Sequence, residues 1–198
     1  SYLAWYYRLL PEQPLLCPIG RLDKDTSGLI LIAKNKYAAQ QLERQRANHT
    51  LSRVYLALAE GHWTNQSKSG LIDRPIEKVP ECFNRYQVAD TGRPSRTEYE
   101  VLSEFTYEET PFSLVRLKLQ TGRTHQIRVH MASLSHPLLG DSFYGHEGFL
   151  GFDRAALHSF EITCQLPGHQ DLAVFSSEMP EDFQKMIAKS INFSSTLI

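Results

Sequence analysis

The segment Gly20-Arg21-Leu22-Asp23-Lys24-Asp25-Thr26-Ser27-Gly28, running directly into Leu29-Ile30-Leu31-Ile32-Ala33-Lys34, constrains this chain more than any other. Charged and turn-forming residues stand immediately before an unbroken apolar run. A run of that length, bounded by Gly28 and Lys34, predicts a buried strand over 29–33. A core strand has no need of Arg21 or Asp23 at its mouth, whereas a fold that fixes a carboxylate against a substrate does. Asp25, followed by Thr26 and Ser27, is the more natural turn former. Asp23, between Leu22 and Lys24, is less easily explained by turn chemistry.

The rest of the chain reads as short strands with scattered helices. The stretch 1–10 is aromatic and aliphatic, and Pro11 and Pro14 end any helix it makes. Residues 37–48 have helical composition, with Ala38, Leu42 and Gln45 on one face. A second strand is expected over 54–59, closed by Gly61. Residues 62–95 read as loop with short strands, anchored by Trp63 and Ile72. Alternation of polar and apolar residues over 97–102 and 113–119 predicts two half-buried strands. Thr124 is a candidate N-cap for a helix whose Ile127, His130, Met131 and Leu134 recur at i, i+3, i+4 and i+7. Strands over 157–164 and 172–176 and a final helix through Lys189 complete the order. Strands outnumber helices and no repeat is present, which predicts a single α+β domain with a mostly antiparallel mixed sheet and peripheral helices.

Charge is unevenly placed behind a net value of −1. From Arg21 to Arg53 seven Lys/Arg face three acids, and from Arg116 to His130 four basic residues face none. From His146 onward seven acids face three basic residues. If the two basic segments meet, they make a positive face suited to phosphates. Three separated cysteines, Cys17, Cys82 and Cys164, form no C-x-x-C pair and suit a reducing compartment. No apolar run is long enough for a membrane span.

Asp23-x-Asp25-x-Ser27-Gly28 copies the opening of a calcium loop, but Lys34 stands where a bidentate Glu is required. His125 and His130 are five apart, a poor metal pair on a helix. His130 is expected to be a packed core histidine, and His125 to donate a hydrogen bond to backbone or substrate. No phosphate loop, dinucleotide fingerprint or nucleophile elbow is present, so no metal or cofactor is expected. Arg128, one turn into the helix, is close enough to its start to reach a cleft. A pair between Arg128 and Asp23 would keep the carboxylate ionised, and would equally serve to tie two segments together.

Three blocks in order resemble the RluA-type pseudouridine synthases. They are Arg21-Leu22-Asp23-Lys24-Asp25-Thr26-Ser27-Gly28-Leu29, then Arg53-Val54-Tyr55-Leu56-Ala57-Leu58 with Gly61, then 121–132 (TGRTHQIRVHMA) continued by 136–141 (HPLLGD) and Tyr144-Gly145. The segments 92–99 and 179–183 also fit in order. The resemblance implies a cytoplasmic RNA-modifying isomerase that flips a uridine of ribosomal or transfer RNA out of its stack and needs no cofactor. It implies Asp23 as nucleophile, Tyr55 as the residue that stacks on uracil and could remove the C5 proton, and Arg128 as the partner of Asp23. Arg21 would occupy the gap left by the flipped nucleotide, with Arg123, His125 and Gln126 as further substrate contacts. Monomeric action on RNA, with no membrane partner, is the matching expectation.

The sequence departs from the family in two places. Gly20 stands where the family usually has His. The stretch 1–16 lacks the family's opening strand ending in Lys-Pro, so that strand, or an N-terminal RNA-binding domain, is expected to lie outside these residues. A non-catalytic RNA-binding protein on the same scaffold and an Asp-dependent nucleosidase that releases uracil are the alternatives.

Overall fold

Strand β4 (Ser52–Glu60) carries its apolar residues on both faces, as a strand must when helices cover a sheet from two sides. Its odd-numbered residues Tyr55, Ala57 and Ala59 pack with Trp63, Val115, Ile127, Met131 and Leu138. Its even-numbered residues Leu56 and Leu58 pack with Phe112, Leu139, Phe152, Phe183 and Met186. The period-2 geometry of a strand alone divides the two cores.

The computed structural model describes residues 5, 7, 8 and 15–195. The expected N-terminal helix and the prolines that end it fall largely outside these described residues. In chain order the elements are β1 (Cys17–Pro18), β2 (Ser27–Gly28), β3 (Ile32–Ala33), α1 (Lys36–Ala47), β4, β5 (Ser69–Asp73), β6 (Ile76–Lys78) and β7 (Tyr86–Val88). There follow β8 (Arg96–Tyr107), β9 (Thr110–Leu119), α2 (Gln126–Ser133), a 3-10 turn (Phe149–Gly151), β10 (Leu157–Gln165), β11 (Leu172–Ser176) and α3 (Glu181–Ser195). Seven strands form the main sheet in the order β11-β10-β4-β9-β8-β5, with β2 added beside β10. All its pairings are antiparallel except β2 with β10. The fold is α+β, as the strand count implies.

Helix α2 covers the face of β4 that carries Tyr55, and the small side chains of Ala57 and Ala59 let Ile127 and Met131 approach closely. Helix α3 covers the opposite face through Phe183 and Met186. Helix α1 packs Leu42 against Ile19, Ala33, Leu51, Ile162 and Cys164. Asn35 caps α1 by accepting the Ala38 N–H at 2.8 Å.

Two local expectations fail. The apolar run 29–33 is not one buried strand. Gly28 is paired to β10 and Ala33 to β1, and between them the chain changes sheets, leaving Ile30 42% exposed. The second concerns α2, which begins at Gln126 rather than after Thr124. His125 precedes it in the left-handed region at φ 55° and makes no side-chain cap. The Gln126 amide instead folds back and accepts from Arg123 N–H at 3.0 Å and the Thr121 hydroxyl at 2.8 Å. Helix α2 is also buried on all sides through 126–131, so the periodicity that located it understates its burial.

Gly28 fixes where the Asp23 segment docks. A Cβ built there would lie 2.2 Å from the Ser159 carbonyl oxygen, and its φ of +99° is strained for any L side chain. Gly28→Ala is expected to cost about 1–3 kcal/mol from the backbone conformation, with the clash in addition. Urea denaturation checks this, and an unchanged midpoint would contradict it.

Candidate active site

One cavity of about 620 Å³ opens where the Asp23 segment, β4 and the start of α2 converge, a size typical of small-ligand sites. Asp23 enters from a tight turn in which Thr26 N–H donates to the Asp23 carbonyl at 3.1 Å. The turn is held at its far end by β2. Leu29 N–H donates to Ser159 O at 2.9 Å, and Ser27 Oγ lies 2.9 Å from His158 Nδ1. Arg154 Nη1 donates to the Asp25 carbonyl at 3.2 Å. Asp23 is half-buried and lines the cavity, while Asp25 is exposed and does not.

Tyr55 projects from β4 into the same space. Its register partner across β10 is Ser159, which is also the partner of Gly28. A single residue of β10 thus sets the Asp23 loop and Tyr55 on neighbouring tracks. Burial pushes the Tyr55 phenol above its ordinary pKa; Arg53 pulls against this shift and the Asp23 charge adds to it. The group is a neutral phenol near pH 7.

The two basic segments of the sequence do meet. Arg21, Arg46 and Arg53 line the cavity from the first, Arg123 and Arg128 from the second, and Asp23 is the one carboxylate among the lining residues. The resulting field favours an anionic ligand.

The pairing of Arg128 with Asp23 expected from the sequence is corrected by the geometry. Arg128 donates from Nε to Asp141 Oδ2 and from Nη2 to Asp141 Oδ1, both at 2.6 Å. The two side chains are 5% and 0% exposed. Asp141 Oδ1 also accepts from Phe143 N–H at 3.0 Å and Tyr144 N–H at 3.2 Å, so this carboxylate organises the 141–145 turn as well. Burial alone would lower the Arg128 pKa, but the Asp141 bonds more than offset it and the group is held above its usual range. Asp23 acts on Arg128 through space as a further, weaker charge. In the sequence Asp141 stands only as the last residue of the 136–141 block, with no role of its own. Its role depends on tertiary contact with a residue thirteen positions earlier.

Two expected substrate contacts are committed elsewhere. The Gln126 amide lines the cavity, but its nitrogen donates to Arg96 O at 2.9 Å and to Thr97 Oγ1 at 3.0 Å, with its oxygen taken as described. It joins β8 to α2. His125 is buried away from the cavity lining, with Nδ1 2.9 Å from Tyr144 Oη and its ring against Tyr86 and Phe143. Burial raises the Tyr144 pKa to about 12, and that of His125 is lowered by burial and by Arg128. His130 is a core histidine as expected, fully buried between Thr97 Oγ1 and Arg74 O at 2.9 Å each. Arg21 and Arg123 sit exposed at the rim, where Arg123 Nε also donates to Pro94 O at 3.2 Å. Among the described residues no group of three or more His, Cys, Asp and Glu could hold a metal, and no helix is long and apolar enough to cross a membrane.

Residues 4–133 match the RNA pseudouridylate synthase family. The chain belongs to that family. It is 39% identical over 186 residues to an uncharacterized RNA pseudouridine synthase, YhcT, of Bacillus subtilis, covering 94% of this chain and 60% of that protein. It is 37% identical to the ribosomal large subunit pseudouridine synthase D of Nitrosomonas europaea, covering 90% of this chain and 52% of that one. The chain therefore spans between half and two thirds of these relatives. Among solved structures, human RNA pseudouridylate synthase domain containing 1 superposes with a TM-score of 0.73 at 30% identity, over 88% of this chain and 73% of that one.

Two expectations concern the pairs just described. Arg128→Ala leaves the Asp141 carboxylate buried and unpaired, and is expected to cost about 3–5 kcal/mol of stability. A urea midpoint within error of the wild type would contradict it. His125, His130 and His158 all have their pKa lowered by burial, with Arg128 assisting at His125 and Arg154 at His158. The unfolded chain then binds more protons than the native one just below the ordinary histidine value of about 6.5. Their contribution is fully present above that pH and is lost as pH falls. The urea midpoint is expected to drop between pH 7.5 and pH 5.5; a flat profile would contradict this.

Proposed function

We propose that this chain isomerises uridine to pseudouridine in structured RNA. The observation that carries the reading is the convergence of Asp23, Tyr55 and Arg128 on one basic-rimmed cavity in a member of this family. Ribosomal RNA is the favoured substrate class, because a matched relative is a ribosomal large subunit pseudouridine synthase. The enzyme would act in the cytoplasm as a monomer.

A uridine flipped from its stack presents C1′ to the Asp23 carboxylate, which attacks as the N1–C1′ bond breaks. The freed uracil turns within the cavity, and C5 attacks C1′ as the carboxylate leaves. Loss of the C5 proton and protonation of N1 balance the atoms, so the route is redox-neutral and draws on no co-reactant. Burial keeps Tyr55 a phenol, which supports stacking on uracil more strongly than proton removal. Arg128, held by Asp141, supplies a fixed positive field near the reacting carboxylate rather than a direct bond to it. Arg21 and Arg123 at the rim would meet the flanking backbone.

Asp23→Asn is expected to abolish pseudouridine formation by the purified chain on a ribosomal RNA transcript while RNA affinity stays within about threefold. Asp25→Asn should retain turnover. Turnover by Asp23→Asn, or release of free uracil by the wild type, would overturn the mechanism.

A further inference from the structure

The five arginines of the cavity are not equivalent. Both ends of the Arg128 fork are already committed to Asp141, and Arg46 pairs at the surface with Glu43. Arg21 and Arg123 are exposed at the rim. Arg53 is half-buried in the lining and has no carboxylate within salt-bridge distance among the described residues. It stands two residues before Tyr55 on β4, so both side chains project from the same face of the strand.

A glycine makes its position possible. A Cβ on Gly20 would lie 2.5 Å from Arg53 Nη2 and 2.8 Å from Nη1. Gly20 also has a φ of +76°, which L side chains rarely adopt. The Arg53 guanidinium therefore occupies the space a side chain at position 20 would fill, and Nη2 donates to the Ile19 carbonyl. Any side chain at 20 and this placement of Arg53 exclude each other.

We propose that Arg53, seated by Gly20, binds a backbone phosphate of the RNA nucleotide drawn into the cavity. This rests on the reading of the site as one for RNA. The Ile19 carbonyl and the Tyr55 hydroxyl engage only part of the guanidinium, and the remaining N–H groups are available for bidentate phosphate binding. No neighbouring carboxylate neutralises the charge, and the partly dry surroundings strengthen its attraction for an anion. Arg53 also ties the segment leading to Asp23 to the strand that carries Tyr55. A phosphate held there would fix the ribose between the two.

The test measures binding of a fluorescein-labelled RNA stem–loop with a uridine loop, across salt concentrations, by the whole chain and its variants. Arg53→Met is expected to weaken affinity about tenfold near 0.1 M salt and to lower the slope of log K against log salt by about 0.7–1, one phosphate contact. Arg53→Lys should keep most of the slope and lose several-fold in affinity. Gly20→Ala, with Arg53 intact, should weaken binding in the same direction by displacing the guanidinium. If Arg53 only props the Ile19 carbonyl, Arg53→Met lowers the melting temperature but leaves affinity and slope unchanged, and the proposal is overturned. Should Arg53→Met not fold, wild-type affinity in both Arg53→Lys and Gly20→Ala would overturn it equally. The measurement is independent of turnover. A wild type that makes no pseudouridine, yet shows these slopes, would remove the proposed activity and leave the phosphate site standing.

Discussion

The site depends on one close backbone approach, that of Gly28 to Ser159. Ser159 is fully buried in β10, where it is in register with Gly28 on one side and with Tyr55 on the other. Only a residue without a Cβ can lie against its carbonyl, and the loop that presents Asp23 is carried in on that contact. The acid comes from an irregular segment and the tyrosine from the middle of the sheet, yet both are positioned by the same residue. A loop carboxylate thereby gains the fixed placement that catalytic groups need, since small displacements from productive geometry are costly.

The buried pair of Arg128 and Asp141 gives the cavity its second fixed element. A bidentate guanidinium–carboxylate pair is strong because both charges are fully hydrogen-bonded, and Asp141 is bonded further to two backbone N–H groups. Arg128 lies 5.1 Å from the Tyr144 ring centroid and 5.5 Å from that of Phe143. Tyr144 in turn accepts the Tyr86 N–H at 3.0 Å, which ties the β6–β7 hairpin to the same cluster. The cavity wall is thus braced from the 141–145 turn and from the hairpin together. The consequence for chemistry is that Arg128 cannot swing freely to Asp23 without giving up two short bonds.

Much of this was legible in the sequence where signal is local. The period-2 pattern locates β8 and β9, the helical pattern locates α1, and Asp25 reads as a turn former while Asp23 does not. Signals that depend on tertiary partners were misread or missed. The apolar run at 29–33 looked like one strand because nothing in it shows that the chain changes sheets there. Gln126, a substrate contact by resemblance, lines the cavity, but its bonds to Arg96 and Thr97, far along the chain, have no local signal. Arg128 and Asp23 line one cavity, but the partner that Arg128 binds, Asp141, lies beyond the helix end. Arg53 carried a usable signal, being two residues from Tyr55 on one strand. Its importance appears only with the space left by Gly20.

The most direct test of the account is a map of pseudouridine in total RNA from cells carrying the intact gene, a deletion, or an Asp23→Asn allele expressed at the same level. The expected result is at least one ribosomal RNA position that is pseudouridine with the intact gene and uridine in both other strains. A position lost in the deletion but retained with Asp23→Asn would contradict the assignment of Asp23 as the reacting group. An unchanged map in the deletion would contradict the activity itself.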